Sequence, residues 1–300
     1  MPERLSFHEE IQKNKLKSIL LIIIIFIFFV LLGYVISLVL DPSYFFIIMI
    51  FATIFSLSYI LISYYNSDKI ALASVNAKPA SKTEHRMLFH AVESMTLASG
   101  LPMPKVFIMN SEQINAFASG RDPEHAVVCV TTGMINKLTK QELEGVIAHE
   151  MSHIANYDIR FMTLTAVLVG MMSIIAQIFL RNLWIAGRDS ENKRANAVLI
   201  LVAVIASILA PLVAQLVSLA ISRKREFTAD ATGVKFIRSP TGLKSALEKI
   251  RNEHVSYQDS RRYPKAVAPL FISDPFKKKV QDLFSTHPSI EERIKRLSLM

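Results

Sequence analysis

Four long apolar runs punctuate this chain, with mixed segments between and after them. The first extends from about Ser18 to Leu40 and the second from about Tyr44 to Tyr65. Each holds roughly 20 residues, enough for a helix to cross about 30 Å of hydrocarbon. Only Asp41-Pro42-Ser43 separates them, so the pattern predicts a transmembrane hairpin. The first run exceeds a secretory h-region of about 7–15 residues, and no small-residue cleavage site follows it. A third run from about Phe161 to Leu180 and a fourth from Ala197 to Ile221 predict a second helix pair. That pair either crosses the bilayer or dips into it without crossing.

Residues 66–159 have the polarity of a folded soluble region. His85 to Ala98 repeats at helical spacing and stops at Gly100. Three short runs read as strands: Lys105–Met109, Ile114–Ala118 closed by Ser119-Gly120, and the β-branched Ala126–Val130. Thr139 and Glu142 form a capping-box pattern that opens a helix running to about Asn156. Residues 222–300 read as helices with short loops. Four segments result: an N-terminal hairpin (1–65), the first part of a compact domain (66–159), a second apolar pair (160–221), and the second part of that domain (222–300). The expected fold is a mainly α membrane protein with four apolar helices and an α+β domain built on a small sheet.

Composition agrees. The chain of 300 residues is 51% hydrophobic, with mean hydropathy +0.35 and only 20% charged residues. Its net charge is +9, and most of the excess lies in 222–300. No nucleic-acid-binding motif is present and aromatics do not interleave with the basic clusters, so nucleic acid is not an expected partner. Basic residues flanking apolar spans suit a lipid bilayer instead. Arg4, Lys13, Lys15 and Lys17 precede the first run and place the N-terminus in the cytoplasm. An even number of crossings keeps 66–159 and the tail on that side. The basic linker 181–195 fits poorly on the opposite side, which keeps the non-crossing alternative open. Cys129 is the one cysteine, so no intrachain disulfide forms; its valine neighbours mark a small buried residue.

The chemistry gathers at His149-Glu150-Met151-Ser152-His153. Histidines four apart share one helical face, and both imidazoles reach a single zinc ion. Glu150 lies beside that metal, where a carboxylate can take a proton from water that zinc has acidified. A catalytic zinc needs a third protein ligand and an open position. Glu226 and Asp230, again four apart, offer one carboxylate to the metal and one to the far nitrogen of a ligand histidine. The plain alternative is a solvated charged helix after an apolar run.

Four pieces together resemble the HtpX-type membrane metalloproteases and, more distantly, the CaaX prenyl proteases. They are Ile114-Asn115-Ala116-Phe117-Ala118-Ser119-Gly120, residues 149–158, residues 222–230, and Thr286-His287-Pro288-Ser289 with Arg293 after it. The resemblance implies a zincin-like catalytic domain with His149, His153 and Glu226 as zinc ligands, Glu150 as general base and Asp230 as support. It also implies that Asn115, Ala116 and Phe117 form an edge strand receiving substrate, although an ordinary core strand reads the same way. His287 would donate to the oxyanion, or simply begin a helix at His-Pro; Arg293 pairs with a neighbouring carboxylate. The implied protein is a multi-pass enzyme of the cell (inner) membrane, with one zinc per chain, its site facing the cytoplasm and misfolded or membrane proteins as substrates. The alternatives are a CaaX-type processing protease and a non-enzymatic scaffold with structural zinc. Oligomeric state is not written in the sequence.

Overall fold

The computed structural model describes residues 7–39, 42–168, 170, 177, 223–253, 270–273 and 288–300. Helix α1 (Phe7–Val39) and helix α2 (Phe45–Tyr65) form the N-terminal hairpin, joined through a 3-10 turn at Pro42–Tyr44. Ile11–Ser37 and Phe45–Tyr65 are long and apolar enough to cross a membrane. Gly33 lets the two helices approach closely, because a Cβ there would collide with the Cβ of Ala52. Their outer faces are bare: Leu31 on α1 is 55% exposed and Phe46 on α2 is 75% exposed, a surface for lipid rather than water. α1 starts well before its apolar run, and Asn14 in that polar lead-in is buried, as is Ser18 where the run begins.

The third apolar run begins as expected. Residues 158–168 are helical, and Phe161, Leu164 and Leu168 join Leu21, Ile25, Phe29 and Tyr59 in one cluster. Tyr59 donates its hydroxyl to the Leu168 carbonyl at 3.0 Å. Most of the second apolar pair lies outside the described residues.

After the short helix α3 (Ser67–Ser74), the chain builds a sheet of four strands: β1 (Lys78–Pro79), β2 (Lys105–Met109), β3 (Ala116–Ser119) and β4 (Val127–Thr131). Their order is β1-β2-β4-β3. β2 and β4 run parallel, while β1–β2 and β3–β4 are antiparallel. β1 has only two residues and so leaves no alternation for sequence reading to detect. β3 begins at Ala116 rather than Ile114, because the Thr131 side chain takes over there: its Oγ1 accepts from Asn115 N–H and donates to the Gln113 carbonyl.

All of β4 is buried. Val128 and Val130 face one core together with Leu143, Val146, Ile147 and Met151. Val127 and Cys129 face another with Phe117, Leu72 and Phe271. Helix α4 (Arg86–Ser99) covers the first core and ends at Gly100, whose φ of 70° is the left-handed cap that glycine favours. A short helix α5 (Thr132–Lys137) leads to the motif helix α6 (Lys140–Ala155). The capping box is formed: Thr139 N–H donates to Glu142 Oε2 at 2.7 Å, and Glu142 N–H to Thr139 Oγ1 at 3.4 Å. α6 is packed by the ligand helix (Arg223–Ile237), by the helix Thr241–Asn252 and by α4. The chain closes with a helix at Ile290–Leu297.

Candidate metal centre

α6 places His149 and His153 one turn apart, with their Nε2 atoms 3.2 Å from each other. The ligand helix brings Glu226 against both: Oε2 lies 3.6 Å from His149 Nε2 and Oε1 lies 3.7 Å from His153 Nε2. One ligand atom from each of the three lies within 4.8 Å of the others, and all three residues are buried. The helices can come this close because Gly233 has no side chain. A Cβ there would stand 3.1 Å from the His149 backbone nitrogen.

Glu226 Oε2 and Glu150 Oε1 are buried without a hydrogen-bond partner. Such orphaned carboxylate oxygens are costly in a protein interior, and a cation between the ligands removes the cost at Glu226. Two imidazoles and a carboxylate suit a divalent transition metal. The residues therefore fit the metal that their pattern implies.

Each histidine has a carboxylate behind it. Asp230 Oδ1 lies 3.0 Å from His149 Nδ1, and Asp158 Oδ2 lies 3.0 Å from His153 Nδ1. A proton on Nδ1 facing each carboxylate would leave Nε2 free for a metal. Arg293 grips Asp230 with two bonds, Nε to Oδ2 at 2.9 Å and Nη2 to Oδ1 at 2.6 Å, and also approaches Glu226 Oε2 at 3.4 Å. Asp158 accepts from Arg225 Nε at 2.9 Å. Electrostatics follow from this packing. Burial works against ionised Glu226, but His149, Arg293 and His153 outweigh it and hold the carboxyl well below its ordinary range. Burial and Arg293 depress His149, while Asp230 and Glu226 more than offset them and lift it to about 9 in the metal-free protein. Glu150 goes the other way: burial raises its carboxyl, partly countered by the two histidines and by a hydrogen bond from the Ala118 backbone.

That last bond puts Glu150 directly beneath β3, the edge strand. The outer edge of β3 is not bare. Ile272 N–H donates to the Ala116 carbonyl at 3.0 Å, and Phe117 and Phe271 form an antiparallel bridge. The Asn115 side chain holds Ser273 from both sides, donating to its carbonyl at 2.8 Å and accepting from its N–H at 3.3 Å. Arg293 Nη1 donates to the Ile272 carbonyl at 3.2 Å. Residues 271–273 thus lie along the strand that the family resemblance implies for substrate.

The structure brings His149, Glu150, His153, Glu226 and Asp230 together, with Asn115, Ala116 and Phe117 on the strand above. His287 lies outside the described residues. Sequence reading assigned no role to Asp158, Arg225 or Asn14. Asp158 stood inside the motif piece, five residues after His153, and that spacing was the one available signal.

Residues 82–300 match Peptidase family M48. The chain belongs to that family. It is 48% identical over 253 residues to a protein named Protease HtpX homolog from Caldanaerobacter subterraneus subsp. tengcongensis, covering 83% of each. A protein of the same name from Dictyoglomus thermophilum is 41% identical over 297 residues, covering 98% of this chain and 95% of that one. Among solved structures, the crystal structure of S. mikatae Ste24p aligns with a TM-score of 0.49 at 18% identity, over 95% of this chain and 65% of that one. M48 membership makes this chain a metalloprotease, a hydrolase acting on protein substrates. With its two apolar helices it is a membrane protein, and the resemblance drawn from its four sequence pieces is borne out.

Proposed function

We propose that this chain is a zinc-dependent endopeptidase of the cell membrane that cuts membrane or misfolded proteins in quality control, including under stress. The observation that carries the reading is the convergence of His149, His153 and Glu226 beside the unpartnered Glu150 Oε1, under an edge strand. A structural metal site would have no use for that free carboxylate, which argues against the scaffold alternative.

His149, His153 and Glu226 would hold one zinc ion. When bound, zinc supplies Lewis acidity for a peptide carbonyl and acidifies water to about pKa 7. Glu150 takes the proton with its free oxygen and passes it to the leaving amine. Asp230 and Asp158 keep the two imidazoles oriented. The substrate is an extended segment that adds to β3, where main-chain hydrogen bonds give affinity and loose side-chain preference. Ala116, the Asn115 side chain and Phe117 hold it there, in the place that residues 271–273 take in the structure. His287, by resemblance, donates to the oxyanion.

The N-terminal end of α1 touches the site, since Asn14 donates to Asp158 at 2.7 Å. This supports one membrane side for the N-terminus and the active site, and the basic residues before the first span make that side the cytoplasm. Along α1, Asn14 lies only about 6 Å before Ser18, where the apolar run begins. A site this near the bilayer suits substrates cut in loops or tails close to the membrane. The second apolar pair, at 161–180 and 197–221, completes a multi-pass arrangement in this reading.

The test is cleavage of an unfolded casein-like substrate by detergent-purified protein, with zinc, after chelation, and after zinc re-addition. Activity is expected to follow zinc and to vanish in Glu150→Gln while that variant still binds about one zinc per chain. Undiminished cleavage by Glu150→Gln would refute the mechanism.

A further inference from the structure

We infer that Asn14, on the first membrane-spanning helix, is a positioning residue for the metal ligand His153. The inference rests on the zinc reading above and extends it into the membrane anchor.

The starting point is an inversion of polarity on α1. Leu16, apolar, is 67% exposed, whereas Asn14, polar, is 6% exposed. Asn14, Ser18, Leu21, Ile25 and Phe29 are all buried and recur at helical spacing, so they form one inward stripe. The stripe is apolar from Leu21 to Phe29, where it meets the third apolar run, and Asn14 is the one amide in it. A helix serving as a tether needs no buried amide there, because burying one without partners costs free energy. This amide has its partners. Asn14 Nδ2 donates to Asp158 Oδ1 at 2.7 Å and to the Asn156 carbonyl at 3.1 Å, so both of its N–H bonds are engaged.

Asp158 carries the effect inward. Its other oxygen, Oδ2, takes the Nδ1 of His153, whose Nε2 faces Glu226 and His149. Oδ1 is shared between Asn14 and Arg225, the residue before ligand Glu226. One carboxylate therefore ties together α1, the turn after the motif helix and the ligand helix. The turn is held from the same side: Lys15 Nζ stands 4.5 Å from the centre of the Tyr157 ring. Tyr157 adopts a φ of 57°, an unfavourable conformation for a bulky residue, which such contacts help to maintain. Without Asn14, Asp158 loses one of the two donors on Oδ1, and Arg225 alone is left to hold that oxygen while the other faces His153. The imidazole is then less firmly oriented and a weaker ligand, as happens when outer partners of metal histidines are removed.

The test uses the full-length protein in detergent, with zinc affinity from chelator competition as the main readout. Asn14→Leu removes the donor at similar volume, and Asn14→Asp sets a carboxylate against Asp158. Both are expected to weaken zinc binding about tenfold or more, the scale of such outer-partner losses, while still reaching one zinc per chain at saturation. Asn14→Gln, which keeps the amide, is expected to recover part of the affinity. Lys13→Ala, on the same helix but exposed, is expected to bind like wild type. If Asn14→Leu and Asn14→Asp lower the melting temperature and leave zinc affinity unchanged, Asn14 is merely structural and the inference is overturned. If either fails to fold, the other and Asn14→Gln decide by the same readout. Absence of zinc binding in the wild type would instead refute the metal reading itself.

Discussion

Replacing Phe271 by alanine tests whether residues 271–273 leave β3 when substrate arrives. Phe271 is 2% exposed and meets Phe117 edge-on, with ring centroids 5.3 Å apart. Truncating a buried phenylalanine costs about 3–5 kcal/mol. The main-chain bond from Ile272 to Ala116 and the bond from the Asn115 side chain to the Ser273 carbonyl do not involve the ring and persist. If the segment is displaceable, the loss falls on its docked state alone. A loss of about 3 kcal/mol raises the population with a free edge by roughly 150-fold, up to the point where the edge is mostly open. Apparent substrate affinity scales with that population. So kcat/KM for an unfolded fluorogenic peptide is expected to rise at least about tenfold in Phe271→Ala, with little change in melting temperature. The assay is initial rate against substrate concentration with zinc-loaded protein in detergent, and thermal unfolding alongside. A fall in kcat/KM together with a lower melting temperature would refute the reasoning, because the segment would then be a fixed wall of the fold.

Other outcomes follow from single contacts. Thr139→Ala removes the side-chain acceptor of the Glu142 N–H and should destabilise the protein by about 1 kcal/mol, read by denaturant unfolding, with specific activity at 25 °C unchanged. Arg293→Leu leaves Asp230 and Glu226 buried without their cation and should cost about 3–5 kcal/mol in the metal-free protein, by the same measurement. Gly233→Ala forces the ligand helix off α6 by a few tenths of an ångström, since its Cβ would meet the His149 nitrogen at 3.1 Å. Zinc affinity measured by chelator competition should then fall severalfold.

Features with a local cause were legible in the sequence. The hairpin follows from uninterrupted apolar runs around Pro42, and the motif helix from the reciprocal bonds of Thr139 and Glu142. Glu226 and Asp230 stand together because a spacing of four puts them on one face. What escaped reading depends on partners distant in the chain. Asn14 looks like a polar residue in a basic leader until Asp158 is set against it, 144 positions away. Arg293 was legible as an ion-pairing residue, but not as a fully enclosed one touching both Asp230 and the Ile272 carbonyl. β1 is too short to have a period, and the pairing of residues 271–273 with β3 leaves no pattern in three residues. His287 and most of the second apolar pair lie outside the described residues.

The glycine contact between the helices of His149 and Glu226 has a consequence for how the site keeps its spacing. Gly233 rests against the backbone of Ala148 and His149, so the gap between the histidines and Glu226 is set by main chain meeting main chain. Backbone cannot swing aside as a rotamer does, so the two helices hold the three side chains as jaws of one stiff frame.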